Sequence, residues 1–482
     1  MEKIDNTKEI EARVDDILTR GVGTFVDPNG VFRKKLIARA NGTSNAEIIV
    51  KFGVDPTRPD IHLGHAVVLR KLRQMQDMGV KVIFLIGDFT ALIGDPTGKS
   101  KVRPEVDQAA INENMRTYLD QVDKILLVER DDSGAMKDGR SFSWMRNSDW
   151  FYGVTDITPE GASQSALTAE FDGKKINIPI ASNSFVSKAV VYENTRMQKS
   201  FLSRTAVHSV SLVNMLAVLR KISLAQLIER DMFQDRIKSS EPLFMHEMLY
   251  PVMQGIDSDV LAQVYGSCDL EVGGTDQTFN MLIGRKVMEM TKKEAQAVLA
   301  FDLLVGLDGK EKMSKSLDNY VGITDEPNDM FGKLMSIPDS VLPKYFELCT
   351  YTPVAEVREI EKKLASGKLH PKEVKMDLAE QIVNIYHGAE AGRGARENFV
   401  NTFQKKEIPD DIPVVSVARG TLLVDALLTQ HIVESKTDFR RLMTDGAIKK
   451  NGEEKLTDPQ VVINEPIILK IGKHRFVSFD IK

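Results

Sequence analysis

Apolar residues at Ile10, Val14, Ile17 and Leu18 recur at helical spacing within residues 1–20, where most other positions are polar. A strand-like run follows at Glu47–Gly53. The next segment, Val54–Asp60, holds two prolines and cannot be a helix interior. Helical spacing resumes from Leu63 to about Met78, through Val67, Leu69, Leu72 and Met75, and stops at Gly79, a residue suited to closing a helix. Val80–Ile86 is an almost unbroken apolar run, the pattern of a strand buried on both faces. Strand, helix and strand in succession make a βαβ unit, and such sheets bind ligands in the loops beyond their strand ends.

The alternation continues with a helix near 105–123 and a strand at Ile125–Val128. Residues 152–211 break it. They are rich in Ser, Thr, Ala and Gly, carry a short β-like run at Lys175–Ile180, and read as an insertion. Helices are predicted over 205–232, 241–254 and 280–296, with a short strand over 301–307. From 325 to 405 the pattern is helix throughout. Pro409–Pro413 reads as a linker, followed by helix, helix and strands.

Composition narrows the classes. A length of 482 residues allows several domains, and 42% hydrophobic with 28% charged residues is the balance of a globular protein. The longest apolar runs are too short to cross a bilayer and no apolar h-region follows Met1, so a cytoplasmic protein without membrane attachment is expected. Cys268 and Cys349 stand far apart and outside any CxxC, which excludes a disulfide framework and a cysteine zinc site. The net charge of −5 argues against a protein that coats DNA. Val417–Lys482 departs from the acidic average, with eleven Lys and Arg against nine Asp and Glu, which is compatible with RNA contact through a terminal module.

Two clusters carry chemistry. His62-Leu63-Gly64-His65 sits where the proline-containing loop enters a helix. Its imidazoles lie on one side of the first turn, Gly64 admits close approach to the backbone, and the helix start favours phosphate. Metal binding fits less well, because the zinc-protease pattern places its histidines four apart with a glutamate; no metal-ligand set is expected. Lys312-Met313-Ser314-Lys315-Ser316 places two lysines in a polar loop, where mobile cations can close over a polyphosphate. Gly94–Ser100 looks like a P-loop but has three residues between its glycines where Walker A needs four.

HxGH at the first βα junction, with KMSKS farther along, resembles class I aminoacyl-tRNA synthetases. Phe52–Thr57, Thr90–Pro96, Tyr250–Asp257 and Gly273–Gln277 are similar to blocks of bacterial-type tyrosyl-tRNA synthetases. The resemblance implies an α/β fold: a Rossmann-like catalytic domain over 1–320 with a connective insertion at about 152–211. An α-helical, anticodon-side domain at 321–408, a linker at 409–416 and a small α+β RNA-binding domain at 417–482 would follow. It implies catalytic roles for Thr57, His62, His65, Lys312 and Lys315. ATP would meet Gly53, Asp55, Gly64, Gly273, Asp276 and Lys315. Tyrosine would meet Thr90, Asp95, Tyr250, Gln254, Asp257 and Gln277. Among these, Tyr250, Gln254 and Asp95 would hold the α-ammonium group, Asp257 the phenol and Asp276 the ribose. Tyrosine, ATP with Mg²⁺, and tRNA(Tyr) are the implied partners, with a homodimer formed through the insertion.

The last segment resembles an RNA-binding module shared with a ribosomal small-subunit protein, which points to Lys436, Arg440, Arg441, Lys449 and Lys450. Tryptophanyl enzymes lack that module, which favours tyrosine. One departure stands out: the best-studied tyrosyl enzymes have a tyrosine at the position of Lys51. The other readings are a tryptophanyl-type enzyme, a small-molecule nucleotidyltransferase, and a non-catalytic RNA binder; the last would have lost His62, His65 or Lys315.

Overall fold

In the computed structural model the apolar runs pair into one six-stranded sheet. The structure describes residues 6–97, 108–134, 136–153, 156–158, 166–171, 174–179, 210, 212–403, 412–430, 432, 433, 435–450, 454–456, 458–472 and 475–481. The first strands are β1 (Val22–Val26), β2 (Ile49–Val54), β3 (Lys81–Ile86) and β4 (Phe142–Arg146). Three short strands follow, β5 (Asp156–Thr158), β6 (Ala166–Phe171) and β7 (Lys174–Pro179), and then β8 (Leu270–Gly274) and β9 (Ala297–Phe301). The main sheet runs β1-β9-β8-β2-β3-β4, parallel except for the edge strand β1. The chain leads from β2 to β3 on one side and from β8 to β9 on the other. The order therefore reverses between β2 and β8, which opens a crevice beyond their carboxyl ends.

Local chemistry explains the elements around that crevice. All six residues of β3 are buried, as its apolar run requires. Helices α1 (Asn6–Thr19), α2 (Val31–Ala40) and α3 (Leu63–Gln76) precede it, and Gly79 then turns with φ +86°. Two more helices follow β3, α4 (Asp88–Ile93) and α5 (Gln108–Val122). The proline-containing loop is held by α5: Asn114 donates to the Pro56 carbonyl at 2.9 Å and Gln121 to that of Pro59 at 2.9 Å, while Gln121 Oε1 accepts from Ile61 N at 2.7 Å. Backbone groups that prolines and turns leave unpaired are thus satisfied by side-chain amides.

Several boundaries differ from expectation. Ile125–Val128 is not a strand. The Gln76 amide accepts from Leu127 N at 2.8 Å and donates to Leu127 O at 3.1 Å, taking the place of a ladder partner, and β3 pairs with β4 instead. The strand expected over 301–307 is β9, which ends at Phe301, where the fully buried run stops. The helical stretch over 205–232 is three short helices, Leu212–Leu219, Leu224–Ile228 and Asp231–Lys238, and its first residues lie outside the described set. The helix expected over 241–254 runs from Met245 to Tyr265. Gly255 does not end it, because it is the contact point with helix Thr278–Met290: an added Cβ would stand 3.1 Å from Ile283 and Val287. In the insertion, β5, β6 and β7 form an antiparallel meander. Its remaining residues lie outside the described set, as does most of the linker expected at 409–416.

By compactness, the chain divides into residues 1–324 with 343–358, and residues 325–342 with 359–482. In the first unit, Arg20 donates to the carbonyls of Phe346, Glu347 and Thr350, and Arg70 to that of Leu348, so two guanidinium groups cap the end of helix Leu342–Cys349. The second unit holds most of the predicted helices, a five-stranded sheet and a separate two-stranded one formed by its second and fifth strands. The strands are β10 (Val414–Val417), β11 (Thr421–Leu422), β12 (Ile448–Lys450), β13 (Glu454–Lys455), β14 (Val462–Ile463), β15 (Ile467–Ile471) and β16 (Arg475–Ile481). The sheet order is β10-β16-β15-β12-β13, over a core that includes Leu427, Phe439, Ile448, Leu469 and Phe479. Among the described residues, no helix is long and apolar enough to cross a membrane.

Candidate active site

The crevice between β2 and β8 is a cleft of about 670 Å³, and every residue expected to meet ATP or tyrosine lines it. At one edge, His62 is the N-cap of α3. Its Nδ1 accepts from Gly64 N at 3.1 Å, and His65 Nδ1 accepts from His62 N at 3.4 Å. An Nδ1 that accepts leaves the ring proton on Nε2, so both imidazoles are donors through Nε2. The rings lie 3.9 Å apart between centroids. Burial, with Lys315 and Lys312 nearby, pulls His62 down to about 3, and burial with His62 beside it drives His65 well below its usual value. Both are therefore neutral near pH 7. The space beside Gly64 is filled from within: an added Cβ would stand 3.0 Å from the His62 ring and 3.9 Å from Met313.

The lysine loop faces these rings. Asn319 organises it, with Oδ1 accepting from Ser314 N at 2.8 Å and Nδ2 donating to Asp308 at 2.6 Å and to the Lys312 carbonyl at 3.2 Å. Asp308 in turn accepts from Lys310 N and Glu311 N. Beyond Asn319 the chain is stitched to the histidine segment. Leu63 N donates to Val321 O at 2.9 Å, Ile323 N to Ile61 O at 3.0 Å, and His62 and Gly322 form a β-bridge. Lys312 pairs with Asp276 at 2.8 Å. Lys315 donates to the Arg58 carbonyl and to Tyr118 Oη, both at 3.3 Å, and its ammonium lies 5.0 Å from the Tyr118 ring centroid. Burial brings Lys315 down to about 8, against the opposing pull of Asp60.

The deeper half of the cleft is a hydrogen-bond relay. Tyr250 Oη donates to Asp55 at 2.9 Å and Thr90 donates to the other Asp55 oxygen at 2.8 Å. Gln277 donates to Asp95 at 2.7 Å, Asn280 donates to both Gln277 and Gln254, and Gln254 donates to Glu271 at 3.0 Å. Asp257 accepts from Trp150 Nε1 at 2.9 Å and from Asn147 at 3.4 Å. Burial raises its carboxyl to about 7, although Lys51, Trp150 and Asn147 favour the ionised form.

Sequence reading missed Asn147 and Glu271, which line the cleft, and Trp150 and Asn280, which are buried behind it and hold Asp257, Gln254 and Gln277; the place of all four depends on tertiary contacts. A signal existed for Glu271: like Lys51, it is a lone charge inside a strand that is otherwise buried and apolar. The RNA-binding candidates belong to the second unit. Ser435 caps the helix Lys436–Thr444, accepting from Asp438 N at 3.1 Å. Arg440 and Arg441 are exposed; Arg441 pairs with Asp438, Lys436 with Asp425 and Lys450 with Glu465. Lys449 stands in register with Lys455 on one side and Lys470 on the other.

Residues 43–404 match the family described as tRNA synthetases class I (W and Y). The chain belongs to that family. Within it, the chain is similar to the tyrosine–tRNA ligase 2 of Clostridium acetobutylicum, at 35% identity over 98% of this chain and 99% of the relative. It is also similar to the tyrosine–tRNA ligase of Moorella thermoacetica, at 36% identity over 96% and 95%. These relatives span nearly the full chain and place this family member among the tyrosine–tRNA ligases. In fold it is similar to a C-terminally truncated mitochondrial tyrosyl-tRNA synthetase of Aspergillus nidulans, with a TM-score of 0.53, 18% identity, and coverage of 83% of this chain and 99% of the other.

Proposed function

We propose that this class I synthetase activates tyrosine with ATP and transfers it to tRNA(Tyr), with chemistry divided between the two faces of the cleft. The observation that carries the reading is the convergence of two neutral imidazoles and two lysines on one crevice at the sheet's reversal point. An oxygen of the tyrosine carboxylate bonds to the α-phosphorus as the bridging P–O bond breaks and pyrophosphate leaves. The attacking carboxylate is already ionised, so the step needs no general base. Rate comes from positioning and from stabilising charge as it builds on the phosphates. His62 and His65 donate through Nε2 from one side, and Lys312 and Lys315 bring charge from the other; Thr57, Gly53, Asp55, Gly64 and Gly273 shape the ATP side. ATP enters as its Mg²⁺ complex, with the cation carried on the phosphates. Asp276 takes the ribose when Lys312 shifts to the phosphates. Asp95, Tyr250 and Gln254 hold the α-ammonium group, Gln277 lies near the substrate carboxylate, Thr90 lines the tyrosine pocket, and Asp257 accepts from the phenol. A terminal ribose hydroxyl of the tRNA then attacks the acyl carbon and AMP leaves.

The deciding experiment is ATP–pyrophosphate exchange with each of the twenty amino acids. Tyrosine-dependent exchange is expected. Tryptophan dependence would move the enzyme to the neighbouring branch, and absence of exchange would refute catalysis.

The remaining domains take the roles expected from sequence: an anticodon-side helical domain, a linker and a terminal RNA-binding module. We place the enzyme in the cytoplasm as a homodimer joined near the insertion. Leu212 and Leu216, one turn apart next to that insertion, are 73% and 50% exposed, which supports an apolar contact there. For RNA, the row Lys455–Lys449–Lys470 sets like charges directly opposite one another, an arrangement that costs stability unless an anion lies across it. Phe476 follows in register with Lys470, whose ammonium is 5.3 Å from the ring, so a base could stack beside the phosphates. Lys449→Ala is expected to raise KM for tRNA several-fold and to lower the salt dependence of tRNA binding by about one in log–log slope. An unchanged slope would remove this row from the RNA surface.

A further inference from the structure

Two opposite charges are buried at the sheet's reversal point. Lys51 lies in β2 and Glu271 in β8. They stand in register across the parallel pair, 2.9 Å apart, and are 0% and 1% exposed. Cohesion of the two strands does not require them, since an apolar pair of similar volume commonly holds strands together as well as a buried ion pair does. The hydrogen bonds point to a different use. Lys51 Nζ meets Glu271 and also donates to the Gln254 carbonyl at 2.9 Å and to Ser258 Oγ at 3.0 Å. All three ammonium protons are thereby engaged by protein, and none is left for a ligand, although Lys51 borders the cleft. Gln254 and Ser258 lie one turn apart on helix Met245–Tyr265, on either side of Asp257 in sequence. From the opposite wall Asp257 is held by Trp150 and Asn147.

We infer that Lys51 is a positioning residue for substrate selection: by tying Gln254 and Ser258 to Glu271 it sets where the Asp257 carboxylate meets the ring hydroxyl of the amino acid. This inference rests on the tyrosine reading above. Electrostatics point the same way. Burial raises the Asp257 carboxyl; Lys51, then Trp150 and Asn147, oppose that, and Glu271 adds to it with the smallest effect. Burial alone would pull the Lys51 ammonium down, but Glu271 and Asp257 hold it above its usual value. The Cys268 thiol, also near Lys51, is kept neutral by burial. Removing both charges of the pair therefore leaves Asp257 harder to ionise, because the loss of Lys51 outweighs the loss of Glu271.

The test uses the full chain in tyrosine- and phenylalanine-dependent exchange across pH 5.5–8.5, with thermal unfolding as a check on folding. The double variant Lys51→Met/Glu271→Gln leaves no orphan charge. It is expected to raise KM for tyrosine about tenfold, to lower tyrosine-over-phenylalanine preference about tenfold, and to move the acidic limb of the tyrosine profile to higher pH. KM for ATP should stay within about twofold. Lys51→Arg keeps the charge but not the geometry, and should raise KM for tyrosine while leaving the acidic limb in place. A folded double variant with wild-type KM, preference and limb would overturn the inference; if that variant does not fold, a wild-type KM for tyrosine in Lys51→Arg would do so. A wild-type enzyme that shows no preference for tyrosine would instead overturn the functional reading, and this inference with it.

Discussion

Lys315→Ala should slow formation of tyrosyl-adenylate by about two to three orders of magnitude, the usual range for deleting one well-placed donor to a developing oxyanion, while changing the Kd for tyrosine no more than about threefold. The reasoning is geometric. Among the described residues, Lys315 is anchored by the Arg58 carbonyl, the Tyr118 hydroxyl and the face of the Tyr118 ring, contacts that a pentavalent phosphate can replace. None of these partners belongs to the tyrosine end of the cleft. An interaction made mainly in the transition state lowers kcat without weakening the ground-state complex. The pH dependence follows from its position near 8: the ammonium is present at pH 7 and discharges as pH rises, so wild-type activation should fall on the alkaline side. Lys315→Ala should lose that limb, and Lys315→Arg, always charged, should keep its rate to higher pH. Single-turnover measurement of adenylate formation, with tyrosine binding followed separately, decides the matter; equal losses in both would remove Lys315 from the reaction.

Asp257→Asn should lower kcat/KM for tyrosine by about 10- to 100-fold, the range set by losing a hydrogen bond to a charged acceptor. For phenylalanine, which brings no hydroxyl, the same change should be small or favourable, so the preference between the two collapses. The variant should not be unstable. Burial raises the folded-state carboxyl to about 7, above its value in an unfolded chain. Such a group contributes stability at low pH that is lost as pH rises through about 7, so at pH 8 the wild type carries a buried charge that the amide lacks. The substituted amide keeps a carbonyl oxygen that can still accept from Trp150. Thermal unfolding at pH 8 should show a midpoint equal to or above that of the wild type, and a large drop would mean that the carboxylate serves the fold before it serves the substrate.

The parts legible in the sequence were those written locally. The helix α3 and strand β3 follow from spacing and from an unbroken apolar run, and the histidines and lysines stand in short motifs. The misplaced strand shows the limit. Ile125–Val128 has the composition of a strand, but its backbone partner is a side chain, Gln76, some fifty residues earlier, and no periodicity reports that. The same holds in the cleft. Lys51 was visible as an odd residue, yet its meaning depends on Glu271, which only the parallel register of β2 and β8 brings beside it. Trp150 and Asn147 carry no motif and reach Asp257 across the sheet edge.

The stitching of Ile61–Leu63 to Val321–Ile323 gives the lysine loop a fulcrum beside the very rings it faces. Met313 N donates to Leu304 O and Lys312 bridges to Val305, so the loop is anchored at both ends and the number of residues between the anchors sets how far its lysines reach. Lengthening the chain between Lys315 and Asn319, where Asn319 Oδ1 holds Ser314 N, should therefore draw the lysines out of line with the histidines and slow adenylate formation.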